Sequence, residues 1–282
     1  MSSRKAELLM ASVSLAWGSS YLLMKVGLNS IGPFNLIALR FGIAFLCMVL
    51  LFFPYFRKLT LPILAKGIVM GVLLFLIFTG MVCGVNHTTA STAGFLTSTT
   101  VVLVPVLECV LRKSFPVRSV VVSILLAIIG LFLLTVRDGV ALDRGALLCL
   151  MGALFYAIYI IVLDRLAKED TFLMSIIQLG VAALLGVVFM MFFETPALPK
   201  TPHQWMAIIC LGVICSAYGF IAQPIAQRYT TSEKIGLIFS LEPVFSAILS
   251  FVFLHEILKV QGYIVAAFIL LAVLLSEKTK NK

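Results

Sequence analysis

Glu242 and Pro243 sit together inside Thr230 to Glu256, an apolar run longer than the about 20 residues a bilayer-spanning helix needs. An acid at bilayer depth costs about 2.5–3.5 kcal/mol on insertion scales, so such residues are seldom without a task. A carboxyl there could exchange protons or hold a cationic group. The structural alternative is backbone repair. Pro243 removes the amide that would bond the carbonyl of Phe239, which predicts a kink. A protonated Glu242 could donate to a carbonyl freed in that way. Helical spacing places Glu242 on one face with Phe239, Ser246 and Leu249.

Other polar side chains lie at comparable depth. Thr88, Thr89, Ser91, Thr92, Thr97, Ser98, Thr99 and Thr100 form a hydroxyl cluster, which can line a wet cavity, although each hydroxyl alone can bond back to its own helix. Thr97 and Thr100 share a face and are the candidates. Trp17, Ser20 and Met24 share another face, with Tyr21 flanking, and Tyr156 and Tyr159 lie close in a later segment. Aromatic rings with a polar tip can cradle an apolar or cationic group, or simply pack. Thr79, Cys83 and Asn86 align on one face, with His87 at its end. Histidine is the side chain that ordinarily changes charge across physiological pH, so His87 joins Glu242 as a candidate for proton coupling. Ser216, Gly219, Gln223 and Gln227 recur at helical spacing, and Gln223 is deep enough to meet a solute. The candidate binding set is therefore Trp17, Ser20, Thr79, Asn86, Thr97, Thr100, Tyr156, Tyr159, Gln223, Glu242 and Ser246, with Pro105 and Pro243 as structural kinks. Arg40 could attract an anion or cap a helix end; the structural role is favoured. Gly67 with Gly71, and Gly80 with Gly84, have the spacing of close helix contacts.

The elements that must position these residues follow from composition. The chain has 282 residues, 62% of them hydrophobic and 12% charged, with a mean hydropathy of +1.15. Soluble domains run nearer about 45–50% apolar and 25% charged, so this is a polytopic membrane protein. The formal charge of +9 reads as membrane orientation and not as nucleic-acid binding, because the basic residues gather at segment ends. The six cysteines all fall in apolar segments without metal-type pairing, which predicts no disulfide, no metal and no cofactor. No ATP-binding glycine loop occurs. Arg4 and Lys5 precede an apolar stretch in the manner of a signal peptide, but the stretch continues to Val26, so a retained first span is expected.

Ten spans can be placed, at about 6–26, 34–54, 66–85, 89–111, 118–136, 144–163, 171–193, 204–227, 232–254 and 260–276. With the N-terminus in the cytoplasm, most Lys and Arg face inward. Both termini are then cytoplasmic, in a multi-pass protein of the inner cell membrane. The stretch from His87 to Leu96 recurs loosely as Tyr229 to Ile238, and both lead to a proline-bearing helix and a basic turn. Two units, 1–138 and 139–282, each carry five spans. An odd number threads the second unit in the opposite sense, as in transporters with a midplane site. The expected fold is an all-α integral membrane protein with ten transmembrane helices as two inverted five-helix repeats.

The chain resembles the EamA-type family of the drug/metabolite transporter superfamily over nearly its whole length. The residues that carry the likeness are Trp17-Gly18-Ser19-Ser20, Leu39-Arg40-Phe41, Thr89-Ala90-Ser91, Gly94-Phe95-Leu96-Thr97 and Val104-Pro105-Val106. In the second half they are Ala226-Gln227-Arg228-Tyr229-Thr230, Ser240-Leu241-Glu242-Pro243-Val244-Phe245 and Leu254-His255-Glu256. The resemblance implies ten helices, cytoplasmic termini and movement of small metabolites, often outward. The chain departs from the family in two places. Arg112-Lys113 stands in the first half where the second has His255-Glu256, and His255 stands where relatives usually carry glycine. The favoured function is a secondary transporter, an exporter by alternating access, for amino acids or related polar or zwitterionic solutes. Its partners would be the small-molecule substrate, the lipid bilayer and protons; the oligomeric state is left open. A multidrug or other metabolite transporter of the same fold is the alternative. An intramembrane enzyme would need convergent acids, a metal cluster or a nucleophile with its base, and none is seen. A non-transporting receptor would be expected to carry a soluble module, which is also not seen.

Overall fold

The computed structural model describes residues 1–113, 144–166, 171–227 and 241–256, with isolated positions at 121–122, 125, 129, 136–137, 141–142, 229, 238–239, 267 and 271. Most of the expected fifth and tenth spans, 118–136 and 260–276, lies outside the described residues. The helices are α1 (Ser3–Leu28), α2 (Pro33–Phe52), α3 (Leu61–His87), α4 (Ala90–Ser98), α5 (Thr100–Arg112), α6 (Arg144–Leu166), α7 (Thr171–Phe193), α8 (Pro202–Cys210), α9 (Gly219–Gln227) and α10 (Glu242–Leu254). A 3-10 turn, Phe53–Lys58, follows α2, and a π-helical stretch, Leu211–Tyr218, joins α8 to α9. A two-residue antiparallel ladder pairs β1 (Val136–Arg137) with β2 (Ala141–Leu142). Six helical stretches among the described residues are long and apolar enough to cross a membrane.

Helix starts follow local chemistry. Pro33 and Pro202 occupy first turns, where a missing N–H has no intrahelical partner to lose. Thr89 caps α4 by accepting from the Thr92 amide, and Thr201 with Gln204 forms a reciprocal capping box at α8. The run Ala90–Leu111 is a single span in two helical pieces, broken at Thr99. Hydroxyls bond the carbonyls at that break: Thr99 Oγ1 donates to Leu96 O at 2.6 Å and Thr100 Oγ1 to Thr97 O at 2.7 Å. Pro105 sits inside α5, beyond the break. Pro243 lies in the first turn of α10, after Leu241, whose backbone is right-handed and whose amide donates to Ile238 O at 3.1 Å; residues 230–237 and 240, which bear on the expected kink, lie outside the described residues. A proline is tolerated in that position because the amide it lacks would be unpaired anyway.

The core runs along glycine seams. Gly67 and Gly71 of α3 abut Ile177 and Val181 of α7, while Gly80 and Gly84 abut Gly152, Cys149 and Gly145 of α6. A methyl group added at Gly80 would lie 2.6 Å from the Gly152 amide nitrogen, so these backbones meet without room for a side chain. Further contacts join α2 to α7, α2 to the π-helical stretch, α1 to α10, α1 to α8 and α9, α4 to α10, and α6 to both α4 and α5.

Candidate functional site

α1 organises the interior by presenting two faces. Ser14, Trp17, Gly18 and Tyr21 recur at helical spacing and meet the ninth span. Ser14 Oγ donates to Ile238 O at 3.0 Å, and the Trp17 ring stacks on Phe239 at 5.4 Å. Gly18 abuts Phe245 and the Glu242 carbonyl. The Tyr21 hydroxyl donates to Glu242 Oε1 at 3.0 Å. Gly94 of α4 closes this junction from a third side, against the Ser246 side chain and the Tyr21 ring. Glu242 therefore lies where α1, α4 and the first turn of α10 cross, and Tyr156 of α6 is within electrostatic range of its carboxylate.

The second face of α1 meets a buried cation. Arg40 of α2 is 2% exposed. Its Nε donates to Ser216 Oγ at 2.8 Å, and Nη1 donates to Ser20 Oγ at 3.1 Å and to Met24 Sδ at 3.6 Å. The guanidinium carbon stands 4.4 Å from the centre of the Phe78 ring, a cation–π distance. Ser216 and Cys215 belong to the π-helical stretch, a wide turn often found at functional places. The Cys215 carbonyl accepts the Trp17 indole N–H at 2.9 Å, and Cys215 Sγ donates to Ala16 O at 3.0 Å.

The remaining candidates divide into three groups. Thr97 donates to Ala93 O, Thr100 to Thr97 O and Ala153 O, Ser246 to Ala90 O, and Tyr159 to Gln178 Oε1. These hydroxyls spend their protons on the scaffold, and all four residues are buried. Thr79 Oγ1 is buried without a hydrogen-bond partner, while Gln223 is partly buried in α9. Asn86 and His87 are exposed at the end of α3, away from the Glu242 junction. An open apolar groove of about 290 Å³ lies elsewhere, between α2 and the segment after α7, lined by Asn35, Leu39, Met190 and Leu198 among others.

Sequence reasoning missed the crosslinks at one end of the bundle. Glu194, just past α7, accepts from the Phe34 and Asn35 amides at 2.9 and 3.0 Å. Glu256, just past α10, accepts from the Ala90 and Ser91 amides at 3.2 and 3.3 Å and from the Ser91 hydroxyl. Each carboxylate thus covers the positive start of a helix from the other half. Lys25 Nζ donates to Val85 O and Thr88 O, the negative end of α3. An acid directly after a long apolar run was the available signal, because free helix amides need such a partner.

Apolar spans, contacts between the halves, a buried Arg40 and a half-buried Glu242 describe a multi-pass membrane protein. The chain belongs to the EamA-like transporter family, whose model matches residues 4–136 and again 143–277. An uncharacterized transporter of Archaeoglobus fulgidus is 32% identical over 274 residues, covering 96% of this chain and 85% of the relative. The uncharacterized transporter YcxC of Bacillus subtilis is 24% identical, covering 94% and 91%. One solved crystal structure matches 96% of both chains with a TM-score of 0.69 at 20% identity, a likeness that concerns fold alone. The relatives' names point to transport and not to catalysis.

Proposed function

We propose that this protein is a secondary transporter of small polar or zwitterionic metabolites such as amino acids, working as an exporter by alternating access. Ten spans form two inverted five-helix units, 1–138 and 139–282, in the inner cell membrane with both termini cytoplasmic. The helix contacts support this arrangement, because most have a counterpart when the halves are exchanged. Contact of α3 with α6 mirrors that of α1 with α8 and α9, and α3 with α7 mirrors α2 with the π-helical stretch. The Glu194 and Glu256 crosslinks join opposite halves at one face, so they must part when that face opens.

The observation that carries the reading is the Tyr21–Glu242 hydrogen bond at the meeting of α1, α4 and α10. A carboxyl in the first turn of α10, held by a phenol hydroxyl, can take a proton or a solute ammonium group. Trp17, Tyr156 and Thr97 stand around it, and Gln223 and Thr79 are assigned to the same cavity. The test is uptake and counterflow of labelled amino acids in liposomes holding the purified protein. Wild-type protein should accumulate label under a proton gradient, and Glu242→Gln should lose that dependence while still folding. Unchanged flux and pH dependence in Glu242→Gln would sink the role given to this carboxyl. No flux of any amino acid would sink the substrate class.

A further inference from the structure

Arg40 is a buried cation with no carboxylate bonded to it among the described residues. Its partners there are two hydroxyls, a thioether and an aromatic face, and Nη2 makes no hydrogen bond among the described residues. Two acids of the bundle interior and end are bonded elsewhere: Glu242 Oε1 to Tyr21, and both Glu194 oxygens to α2 amides. Desolvating a guanidinium without an anion is costly, so its charge needs a reason. Packing does not supply one. At the matching place in α7 the chain uses neutral Gln178, equally buried and bonded to Tyr159. The backbones agree there too, since Gly212 abuts the Arg40 carbonyl as Gly71 abuts that of Gln178.

We propose that Arg40 is the anion subsite of the solute cavity and takes a carboxylate on its unpaired Nη2. Arg40 lies about 10 Å along α2 from Pro33, inside the bilayer and on the opposite side of α1 from Glu242. Ser20, Ser216 and Phe78 fix the guanidinium plane and leave Nη2 free to donate charge-assisted hydrogen bonds to a carboxylate oxygen. The substrate class becomes a small carboxylic acid, held at Arg40 and not at Glu242, which lies across α1. This inference rests on the transporter reading above and names the anionic end of its solute.

The test titrates full-length protein in detergent, following tryptophan fluorescence, since Trp17 bonds the carbonyl next to Ser216. The probes are L-leucine, isocaproate without the amine, L-leucinamide without the carboxylate, benzoate and inorganic phosphate. L-leucine or another carboxylate should bind saturably, and L-leucinamide should bind about tenfold or more weakly, as loss of a charge-assisted bond implies. Arg40→Gln should erase the preference for acid over amide, and Arg40→Lys should restore part of it. A purely structural Arg40 would not alter that preference. Amide binding equal to acid, a response to phosphate alone, or no response to any carboxylate overturns the proposal. The wild-type comparison decides even if Arg40→Gln fails to fold. Carboxylate binding without liposome flux would instead reject the transport reading and keep the subsite.

Discussion

α2 and α7 occupy matching places in the two halves and pack on each other, yet their chemistry has diverged. The shared parts are close copies. Phe34 meets Phe193 at 5.9 Å at one end of the pair, and Phe172 meets Tyr55 at 5.2 Å at the other. Gly212 touches Ile43 and the Arg40 carbonyl as Gly71 touches Val181 and the Gln178 carbonyl. The differences are polar. Arg40 carries a charge where Gln178 does not, and Glu194 caps α2 where the turn after α2 offers Phe56 and Arg57. Glycine contacts and ring pairs set the distance between helices, so they recur wherever that distance recurs. Charges are not needed for it, so they mark what each half does separately.

Exchanging the two polar residues is the harshest test. Gln178→Arg would bury a cation beside the Tyr159 hydroxyl with no anion in place. It should destabilise the protein by about 3 kcal/mol or more, read as a sharp fall in thermal midpoint in detergent. Arg40→Gln removes a buried charge and leaves an amide that can still bond Ser20 and Ser216, so its effect should stay within about 1 kcal/mol. If Arg40→Gln falls as far as Gln178→Arg, the arginine is a structural pin and the contrast fails. A gentler test probes the shared scaffold. Gly71→Val and Gly212→Val should each cost about 1–3 kcal/mol from overpacking, and by similar amounts, because each glycine faces a β-branched side chain and a carbonyl of the partner helix. Unequal losses would show that the halves differ in packing as well as in charge.

Six of the spans and the glycine seams were legible in the sequence because apolar length and small-residue spacing act locally. Gly67, Gly71, Gly80 and Gly84 sit at the contacts their spacing implies. The place of Pro243 in the first turn of α10 was not legible, since a proline inside an apolar run reads equally as a kink in mid-helix. Hydroxyl density at Thr97 and Thr100 suggested a wet lining, but each proton goes to a carbonyl around the break at Thr99, a bond that sequence alone cannot assign. The Arg40 environment was hidden for another reason. Ser20 and Met24 of α1, Phe78 of α3 and Ser216 of the π-helical stretch come from three separate segments, and only the fold brings them to Arg40.

The smallest expected effect concerns the ends of α5 and α10. Lys113 and His255 both have left-handed backbones, with φ of 51° and 53°. A side chain in that region costs about 1 kcal/mol or more relative to glycine, which accounts physically for glycine as the common residue before the last glutamate; histidine is among the side chains that tolerate it. At His255 the geometry has a purpose. The Glu256 amide bonds back to Ser250 O at 3.2 Å, closing the turn at the end of α10, and this aims the Glu256 carboxylate at the start of α4. Glycine keeps that geometry and relieves the side-chain strain, while its greater freedom in the unfolded chain takes back part of the gain. Lys113→Gly and His255→Gly should therefore each stabilise by about 0.5 kcal/mol, or about 1–2 °C in thermal midpoint. Glu256→Gln combined with His255→Gly separates turn from crosslink. If the gain from glycine persists without the carboxylate, it comes from the backbone at position 255, as it must at Lys113, where no Glu256 follows.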